Sequence, residues 1–177
     1  MKLAGILGFA VAVVVMVGCA GREPLATVQE VDLDRFMGDW YVLAHIPTFI
    51  EDEAYNAIES YKRVDDRIET TFTFRNGGFD GEEKRYEPNA IVRNKETNAV
   101  WGMQFIWPFR SDFRIVYLDE NYATTIIGRN TRDYVWIMAR EPEVSDEKYD
   151  ELVGQVEAMG YDLSELRKVP QRWSETP

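Results

Sequence analysis

The two residue types that most often run covalent or metal chemistry occur once each in this chain, as Cys19 and His45. A thiolate needs a base beside it, and a structural or catalytic zinc needs three or four nitrogen, sulfur or carboxylate ligands. One cysteine and one histidine supply neither arrangement. A Ser-His-Asp triad built on His45 is compatible with composition, yet no Gly-x-Ser-x-Gly elbow accompanies it. The acidic groups Glu51-Asp52-Glu53, Asp65-Asp66 and Glu82-Glu83 sit among turn residues and read as solvated loops, and no twelve-residue calcium loop is written anywhere. The expectation is a protein with no catalytic residues, no metal ligands and no cofactor.

Cys19 finds its chemistry in what precedes it. Lys2 is followed by an apolar run from Leu3 to Val17 and then by Gly18-Cys19-Ala20. The run is short for a spanning helix, which needs roughly 20 residues, and matches a signal-peptide core. Met16-Val17-Gly18-Cys19 resembles the lipobox of bacterial lipoproteins, and that resemblance implies cleavage before Cys19 and acylation of its sulfur and new amine. Ala20 in the next position resembles lipoproteins sent to the outer membrane, which implies a domain lipid-anchored at the periplasmic face. Two or more acyl chains hold firmly, since burial releases about 0.8 kcal/mol per methylene. Residues 1–18 are expected to be the signal peptide and 19–30 the acylated end and tether.

Removing residues 1–18 of 177 leaves 159, enough for one domain with a core. Only Lys2 is lost among the charged residues, so 19 basic side chains face 31 acidic ones, a net charge of −12. Such a surface repels phosphate backbones and excludes nucleic acid as a partner. With its lone cysteine acylated, the domain has no disulfide and depends on packing.

The elements that would position a site are strands. In Arg67 to Arg75, Ile68, Thr70, Phe72 and Phe74 alternate with Glu69, Thr71 and Thr73, and Asn76-Gly77-Gly78 closes the run with a turn. Similar segments follow from Asp39-Trp40 onward, about eight after Val31, with short breaks that include Pro108 to Asp112. The period changes only at Ser145 to Met159, where Tyr149, Leu152, Val153, Val156 and Met159 recur at helical spacing behind Ser145 as N-cap. Meandering strands followed by one helix make either a sandwich or a closed barrel. Closure is favoured because the strands are long and partly apolar on both faces, as in Ala99 to Trp107, and because it removes exposed edges.

Gly38-Asp39-Trp40-Tyr41 resembles the Gly-x-Trp signature of the lipocalins, and Asp133 to Pro142 resembles the last strand of the bacterial outer-membrane lipocalins. The likeness extends over residues 31–173 and implies an all-β fold, an eight-stranded antiparallel up-and-down barrel with a C-terminal helix packed outside, at about 145–159. It implies that Gly38, Trp40 and Arg140 close one end, the guanidinium lying over the indole and bonding to main-chain carbonyls. If Arg140 points inward, strand parity turns Met138, Trp136 and Tyr134 inward as well, and Tyr61, Phe72 and Phe74 join them as candidates for the cavity wall.

An apolar cavity would take a ligand with one long hydrocarbon part. The resemblance sharpens this to a fatty acid or lysophospholipid, with storage or transport of membrane lipid as the role. The net charge opposes an anionic headgroup unless a basic group lies at the rim; Lys62, Arg63, Lys84, Arg85, Arg110 and Arg114 are available. Two alternatives remain open: an enzyme of lipid turnover using His45, and an interaction module with no ligand. A homodimer formed around the mouth is compatible with any of these.

Overall fold

The computed structural model describes residues 23–48 and 51–173. The expected signal peptide and Cys19 lie outside the described residues. A one-turn helix α1 (Leu33–Phe36) precedes strands β1 (Gly38–Ile46), β2 (Ala54–Val64) and β3 (Arg67–Asn76). Then come β4 (Glu83–Tyr86), β5 (Asn89–Val92), β6 (Val100–Ile106), β7 (Phe109–Leu118), β8 (Thr124–Gly128) and β9 (Val135–Ala139). Helix α2 (Asp146–Ala158), a 3-10 turn (Leu163–Glu165) and the short β10 (Arg167–Lys168) complete the chain.

Every pairing is antiparallel, the order β1-β2-β3-β5-β6-β7-β8-β9 follows the chain with β4 also on β3, and β9 returns to β1 with Val42 opposite Met138 and His45 opposite Trp136. The sheet therefore closes on itself as an eight-stranded barrel, because β4 and β5 occupy successive stretches of a single partner of β3. Proline explains their separation. Pro88 has no N–H for the ladder, and its carbonyl instead accepts from both the amide and the hydroxyl of Thr70. β10 lies on β1 opposite Ala44 and His45, beyond the stretch of β1 that pairs with β2.

The hairpin between β6 and β7 differs from the sequence expectation. The turn is Trp107-Pro108, and the Phe109 to Asp112 stretch read as a break belongs to β7. Pro108 alone stops the ladder, while Phe109 pairs with Ile106 and continues it.

Two apolar clusters follow from strand alternation. One fills part of the barrel and includes Phe36, Trp40, Tyr61, Phe72, Phe74, Trp101, Phe113, Trp136 and Met138. The other lies outside, where Leu43, Val135 and Ile137 on the barrel wall meet Leu152 and Val156 of α2. Helix α2 starts at Ser145, whose hydroxyl accepts from the Lys148 amide, and the chain leaves it through Gly160 at φ +82°. Its narrow apolar stripe needs the barrel wall as a partner.

Candidate functional site

The closed end is built around Trp40. Its side chain is fully buried, and its indole Nε1 donates to the Phe36 carbonyl at 2.9 Å. Arg140, just past β9, places its guanidinium carbon 3.8 Å from the centre of the indole ring. The same group donates to the carbonyls of Asp39 at 2.7 Å, Arg35 at 2.9 Å, Phe36 at 3.0 Å and Met37 at 2.8 Å. These are the orphan carbonyls at the end of α1 and the entry to β1, and a planar fork of five N–H groups suits them. Gly38 allows the approach. It sits at φ +93°, and a Cβ there would lie 3.4 Å from Arg140 Nη1.

Above this plug the lower half of the barrel is solid. Trp101 and Phe113 stack at 4.9 Å, and the edges of Phe36 and Tyr61 pack against Trp101 at 5.5 Å. The upper half is hollow. A cavity of about 350 Å³, within the range of small-molecule sites, opens at the far end and is walled mostly by carbon: Phe72, Met103, Phe105, Phe113, Tyr134 and Trp136. Its lip is the β6–β7 hairpin, where Ile106 and Phe109 line the cavity and the tip residue Trp107 is 83 % exposed. The N-terminal segment reaches the same end: the Leu25 amide donates to Asn130, and Arg132 donates to the Glu23 carbonyl, both in the loop that leads from β8 into β9.

Polar groups interrupt the apolar wall in a consistent place. Glu59 stands opposite Trp40 on one side and Phe72 on the other, so all three face inward. Its side chain lines the cavity, is 1 % exposed and has no hydrogen-bond partner at either oxygen. Burial drives its carboxyl well above the ordinary carboxylate range; the Thr70 hydroxyl pulls the other way and Glu51 adds to the rise. Glu51 is buried too and is raised by burial, but its oxygens accept from the amide and hydroxyl of Thr48. The basic group on the cavity wall is Arg129, which lies 3.7 Å from Asp133 and over the Tyr134 ring. None of the six basic residues weighed from sequence lines the cavity.

His45 does not line the cavity either. It is buried where β1 meets β10, and its pKa falls to about 4 through desolvation first and the positive charge of Arg167 second, with Asp52 opposing. Burial thus keeps the imidazole neutral, in a wall shared with Asp52 and Arg167 and apart from the cavity.

Of the six cavity candidates, Phe72, Tyr134 and Trp136 line the hollow, Trp136 packing on Phe72 at 4.8 Å. Tyr61, Phe74 and Met138 face the same interior but belong to its packed part. Sequence reasoning missed Glu59, Glu51 and Arg129. Glu59 carried a usable signal, since it holds an inward position between Ala57 and Tyr61 on an alternating strand. The acidic cluster 51–53, read as a solvated loop, is corrected for Glu51, which is 3 % exposed.

A family profile described as a lipocalin-like domain matches residues 31–171. Temperature-induced lipocalin-1 of Arabidopsis thaliana is 28% identical over 163 residues, covering 88% of this chain and 87% of the relative. Outer membrane lipoprotein Blc of Escherichia coli K12 is 25% identical over 185 residues, covering 97% and 98%. Among solved structures, insecticyanin from Manduca sexta superposes with a TM-score of 0.66 at 15% identity over 86% of each chain, which is a likeness of fold.

Proposed function

The chain belongs to the lipocalin family, and from that premise we propose that it is a lipid carrier, tethered to the outer membrane through an acylated Cys19, that holds a fatty acid or lysophospholipid in its barrel. The observation that carries this reading is the cavity itself: carbon-lined, closed below by Trp40 and Arg140, and open above. A hydrocarbon chain entering it gains about 25 cal/mol per Å² of apolar surface withdrawn from water. An anionic headgroup left at the mouth meets Arg129, which offsets some of the surrounding negative charge.

The anchoring part of the proposal draws support from the way the N-terminal segment is held. Glu23 is bound beside the mouth. Four residues of extended chain reach roughly 14 Å, so lipid on Cys19 would hold the open end near a bilayer. The relatives described as outer membrane lipoproteins span nearly the whole chain, which supports the same placement.

The test is native mass spectrometry of residues 19–177 with Cys19→Ser, before and after delipidation, with titration of a fatty acid and a lysophospholipid. One bound lipid per chain is expected. No uptake of either would overturn the reading, and turnover of lysophospholipid abolished by replacing His45 would establish an enzyme in its place.

A further inference from the structure

The buried side-chain polar atoms without a hydrogen-bond partner, among the described residues, are both carboxylate oxygens of Glu59, the Tyr61 hydroxyl, the Trp136 indole nitrogen and Arg129 Nε. All four residues face the barrel interior; Glu59, Trp136 and Arg129 line the cavity, while Tyr61 lies below it. Protein interiors leave few such groups unmet, and three such residues around one cavity ask for a partner that enters from outside.

Glu59 and Trp136 both border Phe72. Glu59 and Tyr61 alternate on the same face of β2, and Phe72 is flanked by Glu59 across the ladder and by the Trp136 ring at 4.8 Å. Their hydrogen-bonding capacities select the partner. An indole N–H only donates, a phenol does both, and a carboxyl accepts always and donates when protonated. A methyl terminus would satisfy none of them. An ammonium donates only and leaves Trp136 unmet. A hydroxyl accepts from the indole and donates to Glu59 in either of its protonation states.

We propose that the ligand's inner end carries a hydroxyl group received by Glu59 and Trp136, so that the preferred cargo is a hydroxylated acyl chain with its acidic head near Arg129. This rests on the reading of the barrel as an acyl-chain carrier and narrows the chemical class. It also makes Glu59 a specificity-determining residue, in a wall otherwise suited to any hydrocarbon.

The experiment is calorimetric titration of the delipidated domain (residues 19–177, Cys19→Ser) with two matched pairs, decanoate against 10-hydroxydecanoate and hexadecanoate against 16-hydroxyhexadecanoate. In a purely apolar cavity the hydroxyl weakens binding, because it leaves water without a partner. The expected result is the reverse, with the hydroxylated member of at least one pair bound about ten-fold more tightly, an effect of the size one satisfied buried hydrogen bond produces. Glu59→Gln should keep that preference and Glu59→Leu should abolish or invert it, while both still bind the plain acids. Equal or weaker binding of the hydroxy acids by the wild type overturns this inference and leaves the carrier intact. A preference that survives in Glu59→Leu overturns it as well. Failure of all four acids to bind overturns this inference and the fatty-acid half of the carrier reading, while lysophospholipid uptake in the mass-spectrometric test still decides the other half.

Discussion

Single residues divide here into those that hold the barrel shut and those that tune its interior. Trp40 and Arg140 do the first. Trp40→Ala removes a fully buried indole and its bond to Phe36, and the expected loss is about 3–5 kcal/mol in a urea titration; less than about 1 kcal/mol would refute the plug. Arg140→Lys keeps the charge but replaces a planar fork that spans four carbonyls with a single ammonium, so a loss of about 1–3 kcal/mol should appear in the same assay.

His45 and Glu59 have opposite effects on pH dependence. The imidazole pKa is lowered from 6.5 to about 4 in the folded protein, so the unfolded chain takes the proton first. Its contribution to stability is complete above about pH 6.5 and is lost as pH falls toward 4, on the order of 3 kcal/mol in all. Denaturation midpoints of His45→Gln across that window should be flatter than those of the wild type. Glu59 is raised, so its folded form retains a proton that the unfolded chain gives up; the stability it contributes is present below pH 4.5 and lost as pH rises toward the folded value. Glu59→Gln should therefore gain stability relative to the wild type as pH increases above 4.5, and a constant difference would contradict a neutral buried acid.

At the scale of elements, helix α2 is a marginal piece held by its surroundings. Gly154 lies inside it with open space where a Cβ would go, so Gly154→Ala should stabilise the domain by about 0.5–1 kcal/mol without disturbing a contact. A helix of this length is weak alone, and the Leu152 and Val156 stripe on the barrel wall is what keeps it formed. The split between β4 and β5 is likewise local chemistry. A proline without an amide interrupts the ladder, and Thr70 absorbs the freed carbonyl with two hydrogen bonds.

At the scale of the molecule, the barrel is asymmetric along its axis: aromatic packing and a guanidinium clasp at one end, a hollow and an exposed apolar lip at the other. The lip carries Ile106, Trp107 and Phe109, exposed by 70 %, 83 % and 75 %. Because Trp107 is 83 % exposed and does not line the cavity, Trp107→Ser should leave folding and the equilibrium affinity for a soluble fatty acid unchanged. It should slow uptake of a fluorescent fatty acid from phosphatidylcholine vesicles several-fold if the lip meets the bilayer during loading. An unchanged uptake rate would remove the hairpin from the transfer step.

What the residue order determined by itself is most of the long strands, helix α2 and the direction their side chains face. Period-two alternation in β3 placed Ile68, Thr70, Phe72 and Phe74 on one buried face, and Ser145 marked the start of α2, because these signals come from neighbours within one strand or turn. The pairing of Trp40 with Arg140 entered by family likeness; no local pattern joins positions so far apart. Only the closed structure decided where packing stops inside the barrel, so that Phe72 and Trp136 border empty space while Met138, nearer the plug, and Phe74, on the mouth side of Phe72 beside Tyr86, do not. It also decided that Glu59 is enclosed with no partner, since the meaning of a carboxyl on an inward face depends on what the opposite wall brings to meet it.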